Sequence, residues 1–405
     1  MNKVLIQYIK NLLIFVLDLI HRTEKYVQYL LTGKHEFERI CESPCDTYEK
    51  AFRLDQWLTK TSCPAIVEFL HIQFDSRSED HHHSTASRAI ERVLARYECC
   101  DRDENSRDRF NQGLRKRHKS RDRNKATNPE QIVNLEDGDQ ILAKATRNVT
   151  FDLVSLIKRT KGRHKLGELC EDTLIDVMYR IVAYKMSLLT AERIASIRYD
   201  PNLEPHTSKL MSLWNNLVTA DLVRSAGDTN ETDSGVIPSE SRCEIPDKHD
   251  IVSGRWSFIG FQGQDPGTDF RGMGLLGLEQ LEYLSRKPKN LPIDLLRRSL
   301  NRHHEYPWAI VGINLTYNLL CLFRDGSMKH LYYDDGELLF RKKRLSLNLL
   351  KLFNDLYVEL FLRFDCFWHE SKPENLLAFR GLIENFVGVV KTDLCNRNFS
   401  FKFIY

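Results

Sequence analysis

Apolar residues recur at helical spacing along most of this chain, and the alternation typical of strands is scarce. The longest helical run spans residues 165–197, and its apolar stripe consists of Leu169, Leu174, Val177, Ile181, Tyr184 and Leu188. Further runs lie at 48–58, 129–156, 307–323, 346–368 and 375–390, and another begins at Ser208 after Pro201 and Pro205. We therefore predict an all-α fold, with a single large helical domain, an N-terminal helical extension and disordered inserts.

The composition narrows the classes of function. Of the 405 residues, 42% are hydrophobic and 28% charged, which is enough to bury a core. The 59 Lys and Arg against 56 Asp and Glu leave a formal net charge of +3, which excludes attachment to nucleic acid by bulk charge. Ten cysteines are too few at this length for a disulfide scaffold and indicate the cytoplasm. Asn-x-Ser/Thr triplets at Asn148, Asn230, Asn314 and Asn398 are the opposing observation, although such triplets are common by chance.

The amino-terminal stretch at residues 4–20 is the most apolar of the chain. It is short for a membrane span, which needs about 20 apolar residues, and it contains Lys10 and Asp18. No small-residue cleavage site follows, so we predict no secretory signal. If this stretch is a helix, one side of it is polar apart from Ile14. The polar residues on that side are Lys3, Gln7, Lys10, Asn11, Asp18, His21, Arg22 and Lys25. Two interpretations stay open: residues 1–22 lie on a membrane surface, or this helix docks on the protein's own core.

Changes in composition divide the chain into segments. We predict an N-terminal helical extension at 1–72, a charged disordered insert at 73–128, a helical region at 129–226, an acidic linker at 227–250 and a tail at 393–405. Residues 101–125 alone hold ten Lys and Arg and five Asp and Glu. Contact with RNA or acidic lipid is the alternative for this insert, but it lacks interleaved aromatic residues. The His81-His82-His83 tract is interpreted as chance, and no metal site is predicted.

Residues 256–278, WSFIGFQGQDPGTDFRGMGLLGL, are unlike the rest and hold six of the 19 glycines. Gly272 to Gly277 matches the G-x-G-x-x-G pattern of dinucleotide sites. That pattern requires a strand directly before it and a βαβ unit around it. Here a turn at 264–269 precedes it, and no alternation of strands and helices follows. We therefore reject a dinucleotide site and predict no cofactor.

The same segment favours a rigid turn that presents a side chain. Asp-Pro-Gly at 265–267 is typical of a turn, and Thr268 or Asp269 can cap the helix that follows. Phe270 offers an apolar anchor. We expect Arg271 at or near the first turn of the next helix, where a cation is unfavourable unless a carboxylate or an anionic partner compensates it. A buried arginine that ties the turn together and an arginine with a functional role remain equal alternatives.

This segment resembles the sequence pattern of the ELMO domain, and the match is nearly unbroken from Trp256 to Leu278. The resemblance continues through 308–314 and 364–368, and residues 31–33 and 39–41 are similar to the start of ELMO-domain-containing proteins. It covers most of the chain outside the 73–128 insert and the acidic linker. It implies a domain that starts near residue 206, with its core at 251–392.

The resemblance also implies a function. The short ELMO-domain-containing proteins are GTPase-activating proteins for Arf and Arf-like small GTPases in the GTP form, and Arg271 matches their required arginine. The residues expected to hold the loop are Trp256, Phe261, Pro266 and Phe270. Those expected to orient Arg271 or contact the GTPase are Gln262, Asp265, Thr268 and Asp269. The chain would thus activate an enzyme rather than carry its own substrate pocket, in the cytoplasm or peripherally on an internal membrane.

Two alternatives come from other classes of protein. Long ELMO proteins are scaffolds that assist Rac exchange factors, and they carry further modules and a proline-rich tail. This chain has no Pro-x-x-Pro sequence, which favours the GTPase-activating branch. The other alternative is a helical adaptor that binds a GTPase without activating it.

Overall fold

A computed structural model of the chain describes residues 3–75, 83–97, 135–162, 166–218, 252–288, 290–301, 303–334 and 349–396. Within these ranges the regular structure is helical and no strand is present, which confirms the predicted all-α class. The α-helices are α1 Lys3–Thr32, α2 Glu36–Glu42, α3 Thr47–Lys60, α4 Pro64–Phe74, α5 Thr85–Leu94, α6 Leu135–Thr160, α7 Glu168–Ser196, α8 Glu204–Leu217, α9 Gly274–Ser285, α10 Leu291–Ser299, α11 Trp308–Arg324, α12 His330–Tyr333, α13 Leu349–Ser371 and α14 Phe379–Cys395. Short 3₁₀ turns lie at Ala95–Tyr97, Gly254–Ile259, Pro266–Arg271 and Leu376–Ala378.

Helix starts follow local side-chain chemistry. The Asp46 carboxylate accepts a hydrogen bond from the Glu49 N–H and caps α3, and Ser84 caps α5 through the Ser87 N–H. Helix α8 begins at Glu204, four residues before the predicted start at Ser208. Pro205 occupies its first turn, where a missing N–H costs no hydrogen bond, so this proline starts the helix instead of preceding it.

Helix α7 is the centre around which the other helices pack. It contacts helices α2 to α6, which precede it in the chain, and helices α9, α11, α12 and α13, which follow it. Phe37 of α2, Leu54 of α3 and Ile66 of α4 are fully buried in the same hydrophobic core as the later helices. The predicted N-terminal extension at 1–72 is therefore wrong for α2 to α4, which belong to the main helical body.

The predicted disordered insert at 73–128 is wrong for residues 83–97. Helix α5 packs on α6, and its Ala86, Ile90 and Val93 side chains are fully buried. Tyr97, in the 3₁₀ turn that follows, is 2% exposed. These apolar residues share one helical face. The prediction of disorder missed them because it relied on the average composition of the segment, in which charged residues dominate. The remaining residues 98–128, with His81, His82, the linker at 227–250 and residues 397–405, lie outside the described part of the chain.

Several of the described apolar side chains of helix α1 lie in solvent. Ile9, Leu13, Ile14 and Leu17 are each more than half exposed. Near its C-terminal end the helix is joined to α2, where Lys25 forms an ion pair with Glu36 at 2.8 Å. The interpretation that this helix docks on the protein's own core is therefore wrong for these side chains. Among the described residues, no helix combines the length and the apolar character that crossing a bilayer requires.

Candidate functional site

The segment between Gly254 and Arg271 is a loop held by its own hydrogen bonds. The Ser253 N–H donates to the Gln264 carbonyl at 2.8 Å, which joins the start of the loop to the residue before the Asp-Pro-Gly turn. The Asp265 carboxylate accepts from the Gly267 N–H at 2.9 Å, and the Thr268 hydroxyl donates to the Asp265 carbonyl at 2.8 Å. These local bonds fix the backbone of the 3₁₀ turn that ends at Arg271.

Asp269 makes the bond that spans this loop. Its Oδ2 atom accepts a hydrogen bond from the Gln262 N–H at 2.8 Å. Burial raises the pKa of the Asp269 carboxyl, and the neighbouring Asp265 charge acts in the same direction. The Gln262 N–H and, more weakly, Arg271 oppose that rise. Asp269 therefore acts as an internal tie of the loop, although the sequence suggested it as a helix cap.

A cluster of buried aromatic side chains anchors the loop to the helical body. Trp256, Phe261 and Phe270 are at most 4% exposed. The Trp256 and Phe261 rings lie 5.9 Å apart between centroids, and the Phe261 and Phe270 rings 5.6 Å, both edge to face. Trp214 of α8 contacts Trp256 at 5.2 Å and joins the cluster to the helical body. Because Trp256 and Phe270 are buried, they can support a binding surface but cannot touch a partner.

Two glycines are required by close backbone approach. Gly274 has φ +49°, and a Cβ atom there would lie 2.3 Å from the Ile197 carbonyl oxygen at the end of α7. Leu275 donates its N–H to that same carbonyl at 2.9 Å. Gly260 has φ +88°, and its Cβ would lie 2.3 Å from the Trp308 nitrogen at the start of α11. These glycines seat the loop on two helices, and within residues 252–271, which the structure describes, no strand precedes Gly272 to Gly277.

Arg271 is the last residue of the 3₁₀ turn, and its side chain is exposed. Among the described residues it has no hydrogen-bond or ion-pair partner; neither Asp265 nor Asp269 forms an ion pair with it. Helix α9 begins at Gly274, so Arg271 precedes the helix and does not lie in its first turn. Met273 occupies the N-cap position without a side-chain cap, so the predicted capping by Thr268 or Asp269 is wrong. The alternative of a buried arginine that ties the turn together does not match this exposed side chain.

The predicted polar residues differ in their exposure. Gln262 and Asp265 are exposed, whereas Thr268 and Asp269 are partly buried and hydrogen-bonded within the loop. Gln262, Asp265 and Arg271 therefore all lie on the accessible surface of the loop. Within the described residues, no group of three or more His, Cys, Asp or Glu side chains is placed to hold a metal ion.

A buried ion network lies on α9, the helix that follows the loop, and sequence analysis missed it. Glu279 accepts a hydrogen bond from Arg96 at 3.2 Å and forms an ion pair with Lys209 of α8 at 2.7 Å. Burial acts to raise the pKa of the Glu279 carboxyl, but the two cations outweigh it and hold the pKa at about 2. Arg96 lies 183 residues before Glu279, so no local sequence signal could have found this pair.

Comparisons with known proteins agree on one family. The model of the ELMO/CED-12 family matches residues 190–381, from the end of α7 into α14, and includes the whole loop. The chain is 32% identical over 225 residues to ELMO domain-containing protein 2 of Bos taurus, covering 55% of this chain and 65% of that protein. It is 26% identical over 367 residues to ELMO domain-containing protein B of Dictyostelium discoideum, covering 90% and 92%. It is 29% identical over 268 residues to ELMO domain-containing protein 2 of Mus musculus, covering 64% and 79%.

The match to the bovine relative thus spans slightly less than two thirds of that protein's length. No solved structure gives a significant match. The family match includes the segment from Trp256 to Leu278 on which the sequence resemblance depended. The chain is therefore an ELMO-domain protein, and its residues 190–381 match the ELMO/CED-12 family.

Proposed function

We propose that this chain is a GTPase-activating protein for an Arf or Arf-like small GTPase, with Arg271 as the arginine finger. The observation that carries the proposal is the state of Arg271. Its side chain is exposed at the end of a turn whose backbone is fixed, and no described residue pairs with it. A guanidinium in this state can enter a partner's active site without first breaking an ion pair.

The chemistry of GTP hydrolysis suits such a group. Negative charge gathers on the transferred phosphoryl group and on the bridging oxygen in the transition state. An inserted arginine accelerates this step by roughly 10³–10⁵-fold, which lowers the barrier by about 4–7 kcal/mol. Arginine suits the role because it stays charged and presents a planar pair of donors to phosphate oxygens, whereas lysine offers a point charge.

The rest of the loop would control where Arg271 points. The bond from Gln262 to Asp269 holds the loop against the turn, and the buried Trp256 and Phe270 rings hold the turn against the core. Gln262 and Asp265, which are exposed on the same loop as Arg271, are proposed to contact the GTPase surface. Thr268 and Asp269 are proposed to act through the backbone, since their polar atoms are engaged inside the loop.

A non-catalytic scaffold or adaptor is the second candidate. Membership of the ELMO/CED-12 family supports this role as well, because it does not require GTP hydrolysis. The same exposed loop would then bind a small GTPase or its exchange factor, and Arg271 would contribute affinity rather than catalysis. The two candidates differ in one measurable quantity, the rate of GTP hydrolysis.

The test is single-turnover GTP hydrolysis by a panel of Arf and Arf-like GTPases, with and without the full chain. We expect wild-type protein to accelerate GTP hydrolysis by at least one GTPase, and Arg271→Lys not to do so. Arg159→Lys is the matched control, because Arg159 is also exposed and lacks a partner among the described residues, but lies on α6. If every GTPase of the panel hydrolyses GTP only at its intrinsic rate, the scaffold or adaptor role would replace this proposal.

We also propose that α1 lies along a membrane surface. Ile9, Leu13 and Leu17 expose apolar area, while Lys10 and Asn11 occupy the polar side of the helix. Leu13→Asp should reduce sedimentation with phospholipid vesicles, because it places a charge on the apolar side. Asn11→Asp adds the same charge on the polar side and should reduce it less. Equal losses in the two variants, or none, would contradict an orientation set by the apolar side.

A further inference from the structure

A cavity of about 290 Å³ lies where the C-terminal end of α1 meets α2 and α3. Four of its lining side chains are basic and one is acidic; these are Lys25, Arg39, Arg53, Lys60 and Glu36. The buried ring of Trp57 forms part of its wall. A concave site with this excess of positive charge is suited to an anion.

Two of the four cations are already paired. Lys25 lies 2.8 Å from the Glu36 carboxylate, and Arg53 lies 2.7 Å from Glu49 on its own helix. Both pairs are at the surface, where such contacts contribute about 0–1 kcal/mol and exchange readily. These cations can therefore turn toward a more highly charged ligand.

The other two cations have unused donors. Lys60, the last residue of α3, is exposed and has no hydrogen-bond or ion-pair partner among the described residues. The Nε atom of Arg39 is buried and has no hydrogen-bond partner, although Nη1 of the same guanidinium donates to Gln28. A buried donor without a partner is costly, and rotation of the guanidinium toward a ligand oxygen in the cavity would remove that cost. The unused donors of both residues thus point to the same kind of ligand.

We propose that this cavity binds a phosphate-bearing anion, and that its source is the headgroup of a membrane lipid. Guanidinium and ammonium donors are the side chains that recognise phosphate oxygens. The lipid source follows from α1, because Lys25 and Gln28 at the cavity belong to the helix that exposes Ile9, Leu13 and Leu17. The choice of a lipid as the source rests on the proposed membrane contact of α1, whereas binding of the anion does not. Neither the anion site nor its lipid source depends on Arg271.

The experiment is calorimetric titration of the full chain with inositol trisphosphate and, separately, with inorganic phosphate, with no GTPase present. Saturable binding of inositol trisphosphate is expected. Lys60→Gln should weaken it about tenfold, since it removes one charge-assisted contact. Arg39→Gln should weaken it at least as much, and its melting temperature is measured alongside because Arg39 also bonds Gln28.

The control and the vesicle arm decide the outcome. Lys144→Gln removes an equally exposed lysine on α6 without a partner among the described residues, and it should bind as wild type does. Absent binding, or an equal loss in Lys60→Gln and Lys144→Gln, would overturn the site. Phosphatidylcholine vesicles containing phosphatidylinositol phosphate should retain wild-type protein more than Lys60→Gln. Binding of the soluble headgroup without this difference would overturn the lipid source. Normal GTPase activation in Lys60→Gln keeps this result separate from the role of Arg271.

Discussion

The Asp269 carboxylate accepts a hydrogen bond from the Gln262 backbone N–H at 2.8 Å, and thereby joins the loop to the turn that ends at Arg271. The Asp269 side chain is partly buried, and the rest of that turn is closed by Asp265 and Thr268. The position of the Arg271 backbone therefore depends on Asp269, although the two side chains form no ion pair. Asp269 therefore supports the loop, whereas the catalytic role is proposed for Arg271.

Asp269→Asn is expected to reduce GTPase activation by much less than Arg271→Lys. The amide oxygen can still accept from Gln262, but the stronger charged acceptor is lost, which costs about 1 kcal/mol of stability. Thermal unfolding and GTP hydrolysis on the same preparations check this. A loss of activity as large as that of the arginine variant would indicate that the two side chains act as one structural unit.

Gly274→Ala is expected to destabilise the fold and to displace the loop. The alanine would adopt φ +49°, at a cost of about 1–3 kcal/mol, and its Cβ would meet the Ile197 carbonyl oxygen at 2.3 Å. Chemical denaturation measures the change. Gly381→Ala is the matched control: nothing lies within 4 Å of its Cβ position, so stability should rise by about 0.4–1 kcal/mol. A neutral Gly274→Ala would contradict the close approach to α7.

Glu279→Gln is expected to cost about 3–5 kcal/mol at neutral pH, because it removes the carboxylate that pairs with the buried Arg96 and leaves Lys209 only the more distant Glu282 at 3.9 Å. The folded-state pKa of Glu279, about 2, is below the unfolded value of about 4.3. Its stabilisation is thus fully present above about pH 4.3 and is lost as pH falls toward 2. Denaturation at several pH values should show the gap between wild type and variant narrowing only in that acidic window.

The control for this network is Glu384→Gln. Glu384 pairs with Arg380 at the surface, where both side chains are more than two thirds exposed. Its removal should change the free energy of unfolding by no more than about 1 kcal/mol at any pH. Similar costs for the two glutamates would contradict the argument that burial makes the Glu279 pair essential.

Ile90→Ala is expected to cost about 2–5 kcal/mol, since the Ile90 side chain is fully buried between α5 and its neighbours. Arg92→Ala, an exposed change on the same helix, should stay within about 0.5 kcal/mol. For the same reason, deletion of 77–125 should unfold the protein. Deletion of 101–125, which lacks an apolar pattern, should not. Tolerance of the longer deletion would contradict the packing of α5.

Local chemistry explains which parts of this structure were predictable. The stripe from Leu174 to Leu188 is periodic, so the sequence alone predicts α7. The turn at 265–267 is likewise visible from its Asp-Pro-Gly composition. The rest depends on contacts between distant residues. A glycine is required at position 274 because the Ile197 carbonyl lies close to it, and the Glu279 carboxylate accepts a hydrogen bond from Arg96. Neither relationship is visible in the neighbouring sequence.

The exposure of Arg271 also depends on the whole fold. The sequence leaves a buried tie and an exposed functional group equally open, because either Asp265 or Asp269 could pair with the guanidinium. In the structure Asp265 accepts from Gly267 and Asp269 from Gln262. Those backbone bonds, set by the seat of the loop on α7 and α11, determine which role the side chain can have.

The most direct test of the central claim is single-turnover GTP hydrolysis by an Arf-family GTPase with wild-type protein and with Arg271→Lys. We expect a fall in the accelerated rate of roughly 10³-fold or more, with unchanged thermal unfolding and GTPase binding, because the guanidinium fork is lost while the charge remains. Full acceleration by a well-folded Arg271→Lys protein would contradict the assignment of Arg271 as the catalytic arginine.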